Sequence, residues 1–233
     1  MDLTDLRKDI EKIQDKEKGV FLQKFFKTGP GQYGEGDKFI GLTVSQSRNL
    51  VVKYRDLSFL EILELLKSKI HEERLIALLI LVYRFQKQPE DQRKIYEFYL
   101  KHTKYVNNWD LVDLSSHKII GEYLQDKPKD ILFKLARSEN LWEKRISLIS
   151  TFAFIREGEF DISLELAEIL VNDKHDLIQK ALGWMLREIG KKDLTAEENF
   201  LKKYHKQMGR TALRYAIEKF PKDKRLAYLH GEI

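Results

Sequence analysis

Apolar positions recur along the 233-residue chain at steps of three and four, the period of amphipathic helices packed on one face. Leu3, Leu6, Ile10 and Ile13 set this rhythm, and Val20, Phe21 and Phe25 continue an apolar face toward a break at Thr28. No stretch alternates convincingly with period two, so the pattern predicts an all-α fold. The break, TGPGQYGEGD from Thr28 to Asp37, reads as a loop. Its glycines suggest a phosphate cradle, but GK[ST] and a flanking strand are both missing, and an exposed loop facing a partner is the expectation. Thr43 with Gln46 and Ser58 with Glu61 have the spacing of capping boxes, so helices should start just after Thr43 and Ser58.

Beyond Ser58 the predicted helices pair off. First helices begin near Ser58, Glu90, Pro128, Asp161 and Thr195, and second helices near His71, Asn108, Asn140, His175 and Gly209. The second-helix starts lie 37, 32, 35 and 34 residues apart. A two-helix unit repeated at that spacing is the signature of an α-solenoid, in which each pair buries its apolar face on the next. The expected architecture is one domain over residues 1–233, a right-handed superhelix of HEAT-like pairs. Residues 1–57 would form a helical cap containing the loop 28–37, and residues 58–233 about five pairs.

Candidate chemistry centres on YVNNWDLVDLSS, Tyr105 to Ser116. A helix starting near Asn108, with Asn107 as N-cap, places Asp110 in the first turn, where a capping and helix-dipole role accounts for it. Asp113 lies beyond that turn and shares a predicted face with Trp109, Ile120 and Leu124, so a carboxylate interrupts an apolar stripe. Buried acids are usually paired with a backbone donor or an arginine, and that structural reading stands beside a functional one. Aligning the repeats puts Arg74, Arg145, Lys180 and Arg214 at one position of four second helices, with Trp184 and Arg187 on the same side as Lys180. These cations are either a row facing a phosphate backbone or inter-repeat salt-bridge residues.

Composition narrows the setting. With 42% hydrophobic and 34% charged residues there is ample material for a core. The absence of cysteine excludes disulfides and thiolate metal sites. The start MDLTDLRKDIEKI lacks the apolar core of a secretory signal, and a cytoplasmic location is expected. The longest apolar run, Leu75 to Tyr83, is too short for a membrane span and fits a buried helix. The net charge of +5 is uneven. Residues 201–233 carry nine Lys or Arg against three acids, and residues 1–200 carry 33 against 34, so the basic excess is C-terminal and suits a polyanion.

The segments NNWDLVD (Asn107 to Asp113), NLWEKRISL (Asn140 to Leu148) and IQKALGWMLREIGK (Ile178 to Lys191) resemble, in that order, the HEAT-like-repeat DNA alkylation repair family, the AlkD-like glycosylases. The resemblance covers essentially the whole chain. It implies a monofunctional hydrolase acting as a monomer on double-stranded DNA that contains alkylated purines, with no cofactor and no metal. Its site residues carry over to Trp109, Asp113, Arg145 and Trp184, with Asp113 catalytic and Arg145 a phosphate clamp; Lys180, Arg187, Arg74 and Arg214 would extend the DNA face. Hydrolysis of ordinary glycosides uses two carboxylates, one protonating the leaving group. A purine alkylated at N3 or N7 is already cationic and leaves without a proton, so one carboxylate suffices to stabilise the oxocarbenium ion and position water. An open groove would also tolerate bulky substituents. The alternative is a non-catalytic HEAT-like scaffold that binds damaged or branched DNA, or a protein partner. An acid in a basic groove argues against it, because it would repel phosphate.

Overall fold

The computed structural model describes residues 1–233 and is helical throughout, with an isolated β-bridge between Lys38 and Ile70. Residues 1–115 and 116–233 form two compact units. The first contains α1 (Leu3–Ile13), α2 (Lys16–Phe25), α3 (Val44–Tyr54), α4 (Phe59–Leu66), α5 (His71–Lys87) and α6 (Gln92–Lys101), and it ends in α7 (Trp109–Ser116). The second opens on a π-helical turn, His117–Gly121. It continues through α8 (Asp130–Ala136), α9 (Leu141–Ser150), α10 (Phe152–Glu157), α11 (Asp161–Leu170), α12 (Asp176–Lys192), α13 (Leu194–Tyr204), α14 (Arg210–Ala216) and α15 (Lys222–His230).

The helix pairs expected from the repeat are present as α4/α5, α6/α7, α8/α9, α11/α12 and α13/α14, each second helix starting within a residue of its predicted place. This is an all-α fold of HEAT-like helix pairs. Both capping boxes form: the Thr43 hydroxyl accepts from the Gln46 amide, the Ser58 hydroxyl from the Glu61 amide, and the Gln46 and Glu61 side chains accept in return from the cap amides. Helix α5 is the axis of the first unit. Leu75 through Val82 are all buried, so this helix is apolar on every side and packs on α3, α4 and α6 at once. In the second unit α12 has the same place among α9, α13 and α14. Its Gly183 permits the approach of α14, since a Cβ there would lie 2.3 Å from the Ala212 carbonyl oxygen.

Two expectations fail near the site. Val20, Phe21 and Phe25 do not continue the buried face of α1, being 60%, 65% and 54% exposed. The chain turns at Gln14, whose backbone is extended, and restarts at Asp15, whose carboxylate caps α2 by accepting from the Lys18 amide. The rotated α2 then buries Gly19, where a Cβ would meet the Phe39 carbonyl oxygen at 2.7 Å. The stripe Trp109, Asp113, Ile120, Leu124 is also broken, because the π-helical turn adds a residue per turn and shifts the helical phase. Ile120 and Leu124 are buried, whereas Trp109 and Asp113 are partly exposed.

Candidate functional site

Helix α7 starts at Trp109, and its cap is Asn108 rather than Asn107. The Asn108 side-chain oxygen accepts from the Trp109 amide at 2.8 Å and its carbonyl accepts from Val112 at 3.2 Å. Leu111 and Val112 are fully buried, and Ser115 is fixed by the Leu111 carbonyl and by the Tyr99 hydroxyl at 2.9 Å. With those positions committed to the interior, Trp109 and Asp113 stand one turn apart on the part-exposed face. Burial, with a smaller contribution from the Asp113 carboxylate, holds the Tyr99 phenol above its usual range, so Tyr99 stays neutral behind the acid.

The indole of Trp109 is the outer member of an aromatic stack. It lies nearly parallel to Phe26, with centroids 5.1 Å apart; Phe26 stacks on Phe39 at 4.7 Å, and Phe39 on the His71 imidazole at 4.4 Å. Phe25 meets Trp109 edge-on at 6.1 Å and continues to Phe21 at 6.3 Å, so the exposed side of α2 prolongs the indole surface.

Behind this stack lies a buried polar network that sequence reasoning missed. His71 Nε2 is 2.8 Å from an Asp110 oxygen, and Nδ1 is 3.2 Å from Asp37, which closes the loop 28–37. The same Asp37 oxygen accepts from Arg74 at 2.6 Å and from the Asn108 side-chain amide at 3.1 Å. Burial alone would lower the imidazole pKa, but the charge and hydrogen bond of Asp110, with the bond to Asp37, raise it to about 8. Burial likewise opposes ionisation of Asp37, yet bonding to His71 and Asn108 and the charge of Arg74 keep its carboxyl below the ordinary value. The loop tip at Pro30, Gly31 and Gln32 is exposed, while Gly34 and Asp37 are buried, so the loop is anchored through its second half. A signal was present in His-Glu-Glu-Arg at residues 71–74, four polar residues set directly before the apolar run Leu75 to Tyr83. Each has a fixed partner, with Glu72 accepting from the amides of Ile40, Gly41 and Leu42 and Glu73 paired with Arg7 at 3.1 Å.

The predicted basic row divides. Arg74 is 4% exposed and committed to Asp37 and the Ser68 carbonyl, so its environment matches a structural role rather than an open phosphate contact. Arg145 is equally buried and donates to the Leu177 carbonyl, which ties α9 to α12; its environment matches the inter-repeat reading rather than an open clamp. Lys180 is partly exposed and pairs with Asp176 one turn away at 2.7 Å, and Arg214 is exposed. Trp184 is partly exposed, donates from its indole nitrogen to Glu188 at 3.1 Å and lies 5.9 Å from the Phe152 ring. Arg187, on the next turn, pairs with Glu218. The first unit thus brings Trp109 and Asp113 together and withdraws Arg74; the second gathers Trp184, Arg187 and Lys180 along α12.

No helix of the protein is long and apolar enough to cross a membrane. A search of curated proteins finds no significant match. Among solved structures, the chain is similar to one described as a predicted DNA alkylation repair enzyme from Enterococcus faecalis, with a TM-score of 0.67 and 16% identity over 90% of this chain and 97% of that one. At that identity the likeness speaks for the fold. The family model described as DNA alkylation repair enzyme matches residues 6–220, nearly the whole length. The chain belongs to the DNA alkylation repair enzyme family.

Proposed function

We propose that the protein is a DNA glycosylase that hydrolyses the N-glycosidic bond of N3- or N7-alkylated purines in duplex DNA, with Asp113 as its catalytic carboxylate. The observation that carries this reading is the pairing of a part-exposed acid with a part-exposed indole one turn apart, on a helix that buries Asp110, Leu111, Val112, Ser115 and Ser116. In the reaction the C1′–N bond breaks and its electron pair neutralises the cationic purine, which leaves as the free base. Asp113 stabilises the positive charge left on the sugar and orients the water whose oxygen bonds to C1′, the water proton passing to the carboxylate or to solvent. Trp109 offers a π-face to the cationic base or to the sugar, an attraction of about 0.5–2 kcal/mol. Trp184 and the accessible cations Lys180 and Arg214 contact the DNA backbone. The buried arginines Arg74 and Arg145 support the helices instead. No lyase step is proposed, since no lysine is placed here as a nucleophile.

The test is incubation of the protein with three matched duplexes, one each with N7-methylguanine, hypoxanthine and 1,N6-ethenoadenine, scoring free base and abasic DNA. Release of methylguanine with little release from the two neutral lesions is the expected result. Comparable release of the neutral bases would require a general acid and overturn the single-carboxylate mechanism, and intact DNA in all three would favour a non-catalytic scaffold.

A further inference from the structure

The loop 28–37 and the charged opening of α5 have no part in the reaction just described, yet both converge on the residue before Trp109 and the residue after it. Asn108, fully buried, gives its side-chain amide to Asp37 and its side-chain oxygen to the Trp109 amide. Asp110, 8% exposed, gives one oxygen to the Leu111 amide and the other to His71. Trp109 is therefore held from both sides through backbone groups, and its ring rests on Phe26, which stacks on Phe39 and lies tilted against His71, itself stacked on Phe39. We propose that Asp37, His71, Asn108 and Asp110 form a buried clamp that positions Trp109 for the reaction, which makes the glycine-rich loop a part of the site's supporting structure.

Charge balance explains why the clamp needs an imidazolium. Asp37 and Asp110 bring two negative charges into a nearly dry region, Arg74 supplies one positive charge, and a doubly protonated His71 supplies the second while donating to both carboxylates. A neutral imidazole can donate to only one of them, so the other loses its bond and one negative charge stays uncompensated. The other charged groups facing the ring act in both directions: Glu72, occupied by three loop amides, adds a negative charge, Arg74, whose guanidinium lies 3.4 Å from His71 Nδ1, opposes protonation, and Lys18 of α2 lines the wall of the same cleft. Asp37 and Asn108 couple the clamp to the loop, and Asp110 couples it to the first turn of the helix that also presents Asp113.

His71, Asp37, Asn108 and Asp110 are positioning residues: none belongs to the part-exposed face, and each acts through Trp109. This inference rests on the glycosylase reading for its kinetic arm only. The full chain is labelled with 5-fluorotryptophan, the Trp109 resonance is assigned with Trp109→Phe, and 19F spectra are followed from about pH 6 to about pH 9.5 beside single-turnover release of N7-methylguanine. The expected result is a Trp109 resonance that moves with a midpoint near pH 8 in the unaltered protein, a midpoint at least about one unit lower in Asp110→Asn, and no such titration in His71→Gln. Asp110→Asn keeps the volume and an acceptor, so it carries the test should His71→Gln fail to fold. At a pH midway between the two midpoints, Asp110→Asn should release base about three- to tenfold more slowly than the unaltered protein, and at about pH 6 within about twofold of it, with duplex affinity the same. A Trp109 resonance that stays flat while the His71 ring signals titrate, or one left unmoved by both variants, would overturn the clamp. Absence of base release at every pH would overturn the glycosylase reading instead, with the 19F titration still deciding the clamp.

Discussion

Removing the Arg74 guanidinium would leave Asp37 buried without its closest partner, so Arg74→Ala is expected to cost about 3–5 kcal/mol of stability. The variant should show a lower denaturation midpoint, with an unchanged salt slope for duplex binding in whatever fraction stays folded. Arg214, which the repeat alignment sets at the same position, is exposed, so Arg214→Ala should change stability by no more than about 0.5 kcal/mol and lower the salt slope by about one. A common slope for the two variants would show that burial does not sort these cations. His71 supplies a pH dependence of known sign. Its folded pKa of about 8 lies above the ordinary 6.5, so its stabilisation is complete below about pH 6.5 and is lost as pH rises through 8, a total of about 2 kcal/mol. Urea midpoints measured at pH 6 and pH 9 should differ in that direction, and the difference should shrink in Asp110→Asn. None of this was legible from the repeat alignment, which places four cations at one helical position but cannot see that Asp37, distant in sequence, reaches only one of them. The Trp109–Asp113 pair was legible, because its spacing lies within a single turn of α7.

Helix α2 shows where period-based reading succeeds and where it stops. The two-helix period located every second helix to within a residue, since each begins at a local signal such as the caps Asn108, Asn140 and His175. The orientation of α2 depended on something else, the close approach of Gly19 to the Phe39 backbone, and so the apolar side of Val20, Phe21 and Phe25 faces outward. The π-helical turn after α7 escaped notice for a related reason: one extra residue leaves the composition helical and changes only the phase. The outward side of α2 yields a prediction. Phe21→Ser with Phe25→Ser removes exposed rings that continue the Trp109 surface, so thermal stability should be nearly unchanged. Excision of a bulky N7-alkylguanine should fall by about tenfold more than excision of N7-methylguanine, as expected when an apolar contact of about 1.4 kcal/mol is lost. Equal effects on the two lesions would mean that these rings contact something other than the alkyl group.

The chain as a whole combines the part-exposed Asp113 carboxylate beside the Trp109 indole with a C-terminal region of opposite charge. Lys206, Arg210, Arg214, Lys222 and Arg225 are exposed in residues 201–233, where basic residues outnumber acids nine to three. Such a segment draws in a polyanion without reading its sequence, so duplex affinity should fall steeply with salt and differ little between undamaged and alkylated DNA. On the proposed reading binding and chemistry reside in different residues, and the central claim can be tested by separating them. The measurement is single-turnover release of N7-methylguanine by Asp113→Asn, made beside the affinity of the same variant for the same duplex. The account predicts that release is abolished while affinity is retained or rises, because a negative charge facing phosphate has been removed. A variant that binds normally and still releases base at close to the unaltered rate would contradict it.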